Sequence, residues 1–355
     1  MDQRPLIALA IGDAAGIGPE LVAKVLAEPE LPDADILVVG DPRVFGTLPA
    51  SVPAPDLPRL DPGAPRWPDG TAAILDLAHH DAATPIGRAS RQGGAFALAN
   101  FDAALALAAA GVVDAVAFAP FNKEAMRLAE PRYVDEIAHV QRRLDADVEG
   151  AEFNVLDEVW NARVTSHVPL AEVAGLITGE RIGRAIRLTD ATMRGAGHEA
   201  PRIAVAALNP HAGDGGNFGT EEIEVIGPAV EAARAEGYAV AGPIPSDTVY
   251  VRALKGEFDA VLTMYHDQGQ VAVKLIGFDR GVTLIGGFPF PITTPAHGTA
   301  YDIAGRGVAS TGAMRRALQL AHRLVLHATP TVPPREPRLA RLAQALDGAL
   351  VPASA

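Results

Sequence analysis

Short, mostly apolar runs alternate with helix-length segments along this chain, and that alternation limits the folds open to it. The runs cover residues 6–11, 36–39, 116–119, 162–165, 203–208 and 260–264, most of them flanked by glycine, proline or aspartate. Such runs are what strands covered on both faces look like. Residues 19–27, 94–110, 182–194, 221–236, 312–327 and 339–346 read as helices. Within 221–236, Ile223, Ile226, Val230 and Ala233 recur at helical spacing. The pattern predicts an α/β fold with a largely parallel or mixed sheet. In such sheets ligands bind at the carboxyl ends of strands.

Three histidines stand where a strand-like run gives way to a loop or helix. They lie in Thr165-Ser166-His167-Val168-Pro169-Leu170, in Asn209-Pro210-His211-Ala212-Gly213, and in Tyr265-His266-Asp267-Gln268-Gly269. A single histidine is more often structural or solvated than a ligand. Three imidazoles from three strand ends can form an open metal site, with positions left for water or substrate. The second motif continues through four glycines and Asp214 to Thr220-Glu221-Glu222. There Thr220 is expected to cap the next helix and the glutamates to complement its dipole. Asp247 lies in a proline-bounded loop, as a proton acceptor or a cap. Lys274, eight residues past His266, is a point charge for a carboxylate or phosphate, or a solvated lysine. His297 is a fourth candidate histidine. Gly12, Gly16 and Gly18 follow the first run as G-x-x-x-G-x-G. That is not the Rossmann spacing, so the turn is either an anionic-group site or a strand-to-helix turn that needs glycine.

Composition narrows the classes. A chain of 355 residues with 48% hydrophobic content exceeds one small core. The charge-dense stretch from residue 123 to 150 marks the start of a second domain. The expected division is therefore 1–125 with 300–355, and 126–299. A net charge of −13 argues against nucleic acid or an anionic membrane as partner, though not against a small anionic substrate. The absence of cysteine excludes disulfides, thiolate metal sites and a cysteine nucleophile. The longest apolar stretch, 103–113, is too short to span a bilayer, and the run at 6–11 is too short for a signal core. A cytoplasmic location is expected.

Gly12 to Glu20, Asn209 to Glu222, Gly242 to Thr248, Tyr265 to Lys274 and His297 to Gly307 together resemble the 4-hydroxythreonine-4-phosphate dehydrogenase family, in the family's order. The resemblance implies two α/β domains with a cleft between them, as in isocitrate and isopropylmalate dehydrogenases. It implies a homodimer with active sites at the subunit interface. His167, His211 and His266 fall on the family's divalent-metal ligands, the last supplied by the second subunit. Asp247, Asp267 and Lys274 fall on active-site positions. NAD or NADP is the implied oxidant, without a Rossmann fingerprint, and Zn, Mn, Mg or Co the implied metal. In that chemistry the metal lowers the pKa of a substrate hydroxyl, and Asp247 or Asp267 takes or relays its proton. Decarboxylation follows where the new ketone lies β to a carboxylate.

Departures from the family bear on substrate. The family's Gly-His-Thr-Glu motif, which contacts substrate, is missing near Asp135 to His139. The family's asparagine and arginine further along fall on Thr283 and Ile292, and isoleucine removes a bidentate anion clamp. The expected activity is thus an NAD(P)-linked oxidation of a secondary hydroxyl in a carboxylate-bearing hydroxy acid or diol. The authentic pyridoxine-pathway reaction is the alternative. An acyl or phosphate transferase, or a silent binding protein, is the reading from another class.

Overall fold

β1 (Leu6–Ala10) runs into α1 (Gly18–Leu26), and the chain continues through β2 (Asp35–Gly40), β3 (Ala72–Asp76), α2 (Arg91–Ala109), β4 (Ala115–Phe118), α3 (Lys123–Ala129) and α4 (Glu136–Leu144). A second series follows: β5 (Ala151–Val155), β6 (Trp160–Arg163), α5 (Leu170–Leu176), α6 (Gly179–Gly195), β7 (Ile203–Ala206), α7 (Gly227–Ala235), β8 (Val240–Ile244), α8 (Ser246–Leu254), β9 (Ala260–Thr263), α9 (His266–Gly277) and β10 (Val282–Gly286). The chain ends with β11 (Ile292–Pro295), α10 (Gly312–Ala328), α11 (Arg335–Leu339) and α12 (Leu342–Ala349). This computed structural model describes residues 4–146, 150–328 and 331–349. It divides into two compact units, Met1–Gly150 with Phe288–Ala355, and Ala151–Gly287. No helix among the described residues is long and apolar enough to cross a membrane.

The first unit carries strands in the order β3-β2-β1-β4-β11, all parallel. β1 is fully buried, as its unbroken apolar run requires. The division differs from the one expected from charge density. α3 and α4 pack on α2, and β11 pairs with β4, so residues 126–150 and 288–299 belong to the first unit. Charged side chains of this stretch pair within the same unit. Lys123 faces Glu136 at 3.7 Å, and Arg143 and His139 both reach Asp102, at 3.1 and 2.6 Å.

The second unit carries the order β10-β5-β6-β9-β7-β8, antiparallel across β10-β5-β6 and parallel across the rest. Ala204, Ala206, Val261, Val249 and Val273 form part of the core between this sheet and α8 and α9. β6, β7 and β9 therefore end side by side. Those ends lead into the three histidine motifs.

Candidate active site

Hydrogen bonds stitch the strand ends of the second unit together. Thr165 donates its backbone N–H and its hydroxyl to the Met264 carbonyl, at 3.1 and 2.8 Å, joining the ends of β6 and β9. Gln268 accepts from the Met264 N–H at 2.6 Å and donates to the Ala207 carbonyl and the Ser246 hydroxyl, at 2.7 and 2.8 Å. Ser246 in turn donates to the Ala207 carbonyl at 2.7 Å. One glutamine and one serine thus fix the ends of β7 and β9 and the start of α8. Sequence reasoning missed both. Their signal lay inside the motifs, as the glutamine after His266-Asp267 and the serine before Asp247.

This frame brings two of the three histidines together. His167 is exposed on the loop after β6, and His266 opens α9. Their ring centroids lie 5.5 Å apart. Two imidazoles on one tetrahedral ion, each bound at about 2 Å, place their ring centres about 5 Å apart. The pair therefore fits a shared divalent ion. Asp267 Oδ1 lies 2.7 Å from His266 Nδ1. In the tautomer that donates from Nδ1, His266 Nε2 is left as the ligand atom, and the carboxylate fixes the ring. Asp267 thus orients the imidazole. The resemblance assigns the position of His266 to the second subunit; here its ring lies beside His167 of its own chain.

His211 stands apart from that pair. No group of three histidine, cysteine or acidic side chains placed to hold a metal occurs among the described residues. His211 is exposed on a turn in which five consecutive residues, His211 to Gly215, are left-handed, with φ between 45° and 77°. His211, Ala212 and Asp214 each carry a side chain there, at about 1–2 kcal/mol per residue. Such strain persists only where surrounding structure over-determines it. Glu222, which is 4% exposed, is bonded to the residues that lead into this turn. It accepts from the Leu208 and Asn209 N–H groups at 2.8 and 2.7 Å and from Asn209 Nδ2 at 3.0 Å. Glu221 accepts from the same amide at 2.6 Å. The expected cap at Thr220 is corrected, whereas the Glu221 carboxylate does meet backbone N–H groups at the helix start, as expected. The helix begins with a π turn, Glu222–Ile226, without a side-chain cap, and the glutamates brace the preceding loop. Its own backbone N–H, then the Asn209 amide and the Thr220 N–H, hold the Glu221 carboxyl below its usual range.

Asp247 is exposed in the first turn of α8, where it complements the helix dipole; Pro245 occupies the capping position. Lys274 is exposed on α9, about 12 Å along the axis from His266. Thr283 is half-buried on β10, its hydroxyl 3.4 Å from Asn154 Nδ2. Ile292 is a correction. It lies on β11 with no exposed surface, opposite Val116, and is a core residue of the first unit rather than a substrate contact. His297 also belongs to the first unit, its Nδ1 3.1 Å from the Gly298 carbonyl oxygen. The stretch 135–139 is a helix start. Asp135 accepts from the Ala138 N–H at 2.9 Å, and His139 is buried against Asp102 and Arg142. His139 is therefore structural and does not replace the missing motif.

The glycine turn after β1 resolves toward packing. A Cβ at Gly12 would lie 2.5 Å from the Ala119 carbonyl oxygen, at Gly16 2.8 Å from Thr299 Cβ, and at Gly18 2.3 Å from the Ile11 carbonyl oxygen. Close packing therefore accounts for all three glycines, as a strand-to-helix turn that needs glycine would. Asp13 within it is fully buried. Burial pushes its carboxyl up, against hydrogen bonds from Tyr301 and the Ala15 N–H.

The family described as "Pyridoxal phosphate biosynthetic protein PdxA" matches residues 33–321. A Rhizobium meliloti (strain 1021) protein, provisionally named 4-hydroxythreonine-4-phosphate dehydrogenase 2, is 55% identical over 91% of this chain and 94% of its own length. The D-threonate 4-phosphate dehydrogenase of Pectobacterium atrosepticum is 39% identical, over 90% and 99%. The crystal structure of a 4-hydroxythreonine-4-phosphate dehydrogenase from Klebsiella pneumoniae superposes with a TM-score of 0.79 at 36% identity, covering 91% of this chain and 98% of that one.

Proposed function

This chain belongs to the PdxA family and is a dehydrogenase of that family, and from that premise we propose that it oxidises a secondary hydroxyl of a phosphorylated, carboxylate-bearing hydroxy acid of the D-threonate 4-phosphate kind. The observation that carries the reading is the His167–His266 pair, with Asp267 set against the second ring. The relative named for D-threonate 4-phosphate supports the substrate class.

His167, His211 and His266 are the proposed holders of a divalent ion, Zn, Mn, Mg or Co. Bound there, the ion supplies Lewis acidity at the substrate hydroxyl, and NAD or NADP supplies the hydride acceptor. Asp267 keeps His266 in one tautomer and one orientation. Asp247, exposed at the start of α8, is free to accept or relay the hydroxyl proton. Lys274 is the proposed point-charge contact for an anionic end of the substrate. A ketone formed β to a carboxylate then loses CO2.

A homodimer with the active site at its interface is part of this reading. Val271 and Leu275 on α9, Phe278 just after it, and Val251 and Leu254 on α8 are exposed apolar side chains, which supports burial against a second copy. A cytoplasmic location fits the same reading.

The test is reduction of NAD and NADP by D-threonate 4-phosphate and by 4-hydroxythreonine-4-phosphate, with each of the four metals added in turn. Turnover of the first in excess of the second is expected. Preference for the second supports the pyridoxine-pathway reading, which the names of other relatives favour. Turnover of neither, with metal bound, rejects both substrates. His167→Ala and His266→Ala are expected to lower kcat/KM by at least about a hundredfold, as loss of a metal ligand should.

A further inference from the structure

We propose that Glu222 is a positioning residue for His211: its buried carboxylate holds the turn of residues 209–216 in its left-handed form and so sets where the imidazole stands. The proposal rests on the reading of His211 as a ligand of a divalent ion.

Glu222 lies near a helix start, where an acidic side chain would ordinarily face solvent and its own helix's free N–H groups. It does neither. It is buried, and it accepts three hydrogen bonds from Leu208 and Asn209, on the far side of the histidine turn. A π turn at Glu222–Ile226 closes through a Gly227-to-Glu222 backbone hydrogen bond and sets the residue at the mouth of that turn. Such single π turns recur at functional sites. Gly213 packs directly on the carboxylate: a Cβ there would lie 2.8 Å from Glu222 Oε2. The Phe218 N–H closes the loop onto the Gly213 carbonyl at 3.0 Å, and the Phe218 ring flanks His211 with centroids 6.3 Å apart.

The carboxylate is thus the centre around which the turn is wound, and His211 is held through backbone alone. Removing it leaves the Leu208 and Asn209 backbone N–H donors without their acceptor, while the Asn209 amide keeps Glu221. His211, Ala212 and Asp214 are then released toward the right-handed conformation they intrinsically favour. The exposed imidazole moves with the backbone. A bare surface loop would not need a buried acid; a loop that must deliver one ring to a fixed point does.

The test is a cobalt(II) titration of the full-length, metal-free protein, followed by calorimetry and by the visible absorption of the bound ion. The melting temperature of each variant is recorded alongside. Glu222→Ala is expected to weaken cobalt affinity about tenfold or more and to change the absorption bands. Glu222→Gln keeps an oxygen for both backbone N–H groups and is expected to stay within about threefold of the native protein. Gly213→Ala crowds the carboxylate from the other side and leaves Glu222 in place; it is expected to weaken affinity in the same direction. A lowered melting temperature with native cobalt affinity and native absorption in Glu222→Ala and Gly213→Ala would overturn the proposal, because a merely structural brace behaves that way. His211→Ala separates the two levels. If it binds cobalt as the native protein does, the ligand reading fails and the proposal with it. If it loses cobalt while the Glu222 and Gly213 variants do not, only the positioning role fails.

Discussion

Asp41 illustrates how single carboxylates are made useful in this chain. Its side chain is closed off from solvent, yet it accepts from the Arg43 and His80 N–H groups at 2.9 and 2.8 Å and pairs with the Arg43 guanidinium. Burial pulls its pKa upward, but the Arg43 side chain and the two N–H donors outweigh that and hold the carboxyl well below the ordinary range. The sign follows: a depressed folded-state pKa gives stability that is full above the ordinary carboxylate value and is lost as pH falls toward the folded one. Asp41→Asn should cost about 1–2 kcal/mol near neutral pH. Measured by urea unfolding, the gap to the native protein should hold down to about pH 5 and narrow below about pH 4. A gap independent of pH would show that packing, not charge, is what Asp41 contributes. The histidines were legible at this same scale, because each lies two or three residues past the end of an apolar run. Gln268 and Ser246 were not, because their partners lie at strand ends 61 and 39 residues away. Ile292 shows the converse: a position matched by resemblance carries a role only if the local fold presents its side chain.

At the scale of elements, the six apolar runs all became strands, with ends shifted by a residue or two. β8 escaped because Gly242 and Pro243 interrupt it. Both are tolerated since β8 is the edge of its unit's sheet, where a missing N–H is harmless. α3 and α4 escaped because their apolar faces are short and they pack on α2 rather than on a sheet. That packing is close. A Cβ at Gly94 of α2 would lie 1.9 Å from the Ala125 carbonyl oxygen of α3. Gly94→Ala should therefore cost about 2 kcal/mol or more, despite alanine's better helix propensity. Gly175, on α5, has nothing within 4 Å of its Cβ position. There the same change should be neutral or stabilising by about 0.5 kcal/mol. Urea unfolding of the two variants checks the contrast. Equal effects would mean that the α2–α3 contact relaxes freely.

At the scale of the whole molecule, charge and exposed apolar surface pull against each other. Each chain carries a net charge of −13, so two copies repel, while the α9 stripe invites them together. Val271, Leu275 and Phe278 recur at i, i+4 and i+7, and Leu275 is 83% exposed, far more than a Leu in a settled core face. If this stripe is the contact of the proposed homodimer, a carboxylate there adds both repulsion and desolvation cost. Leu275→Glu should shift the sedimenting species from a pair of 36.9 kDa chains toward one. Dehydrogenase activity should fall with it, because the proposed active site needs both copies. Salt provides an independent check on the native protein. Raising ionic strength from about 0.01 to 0.15 M shortens the screening length from about 30 to 8 Å. Association should therefore tighten across that range if an apolar contact works against like charge. Loss of the dimer with added salt would instead point to ion pairs as its cement, and would move the interface away from α9.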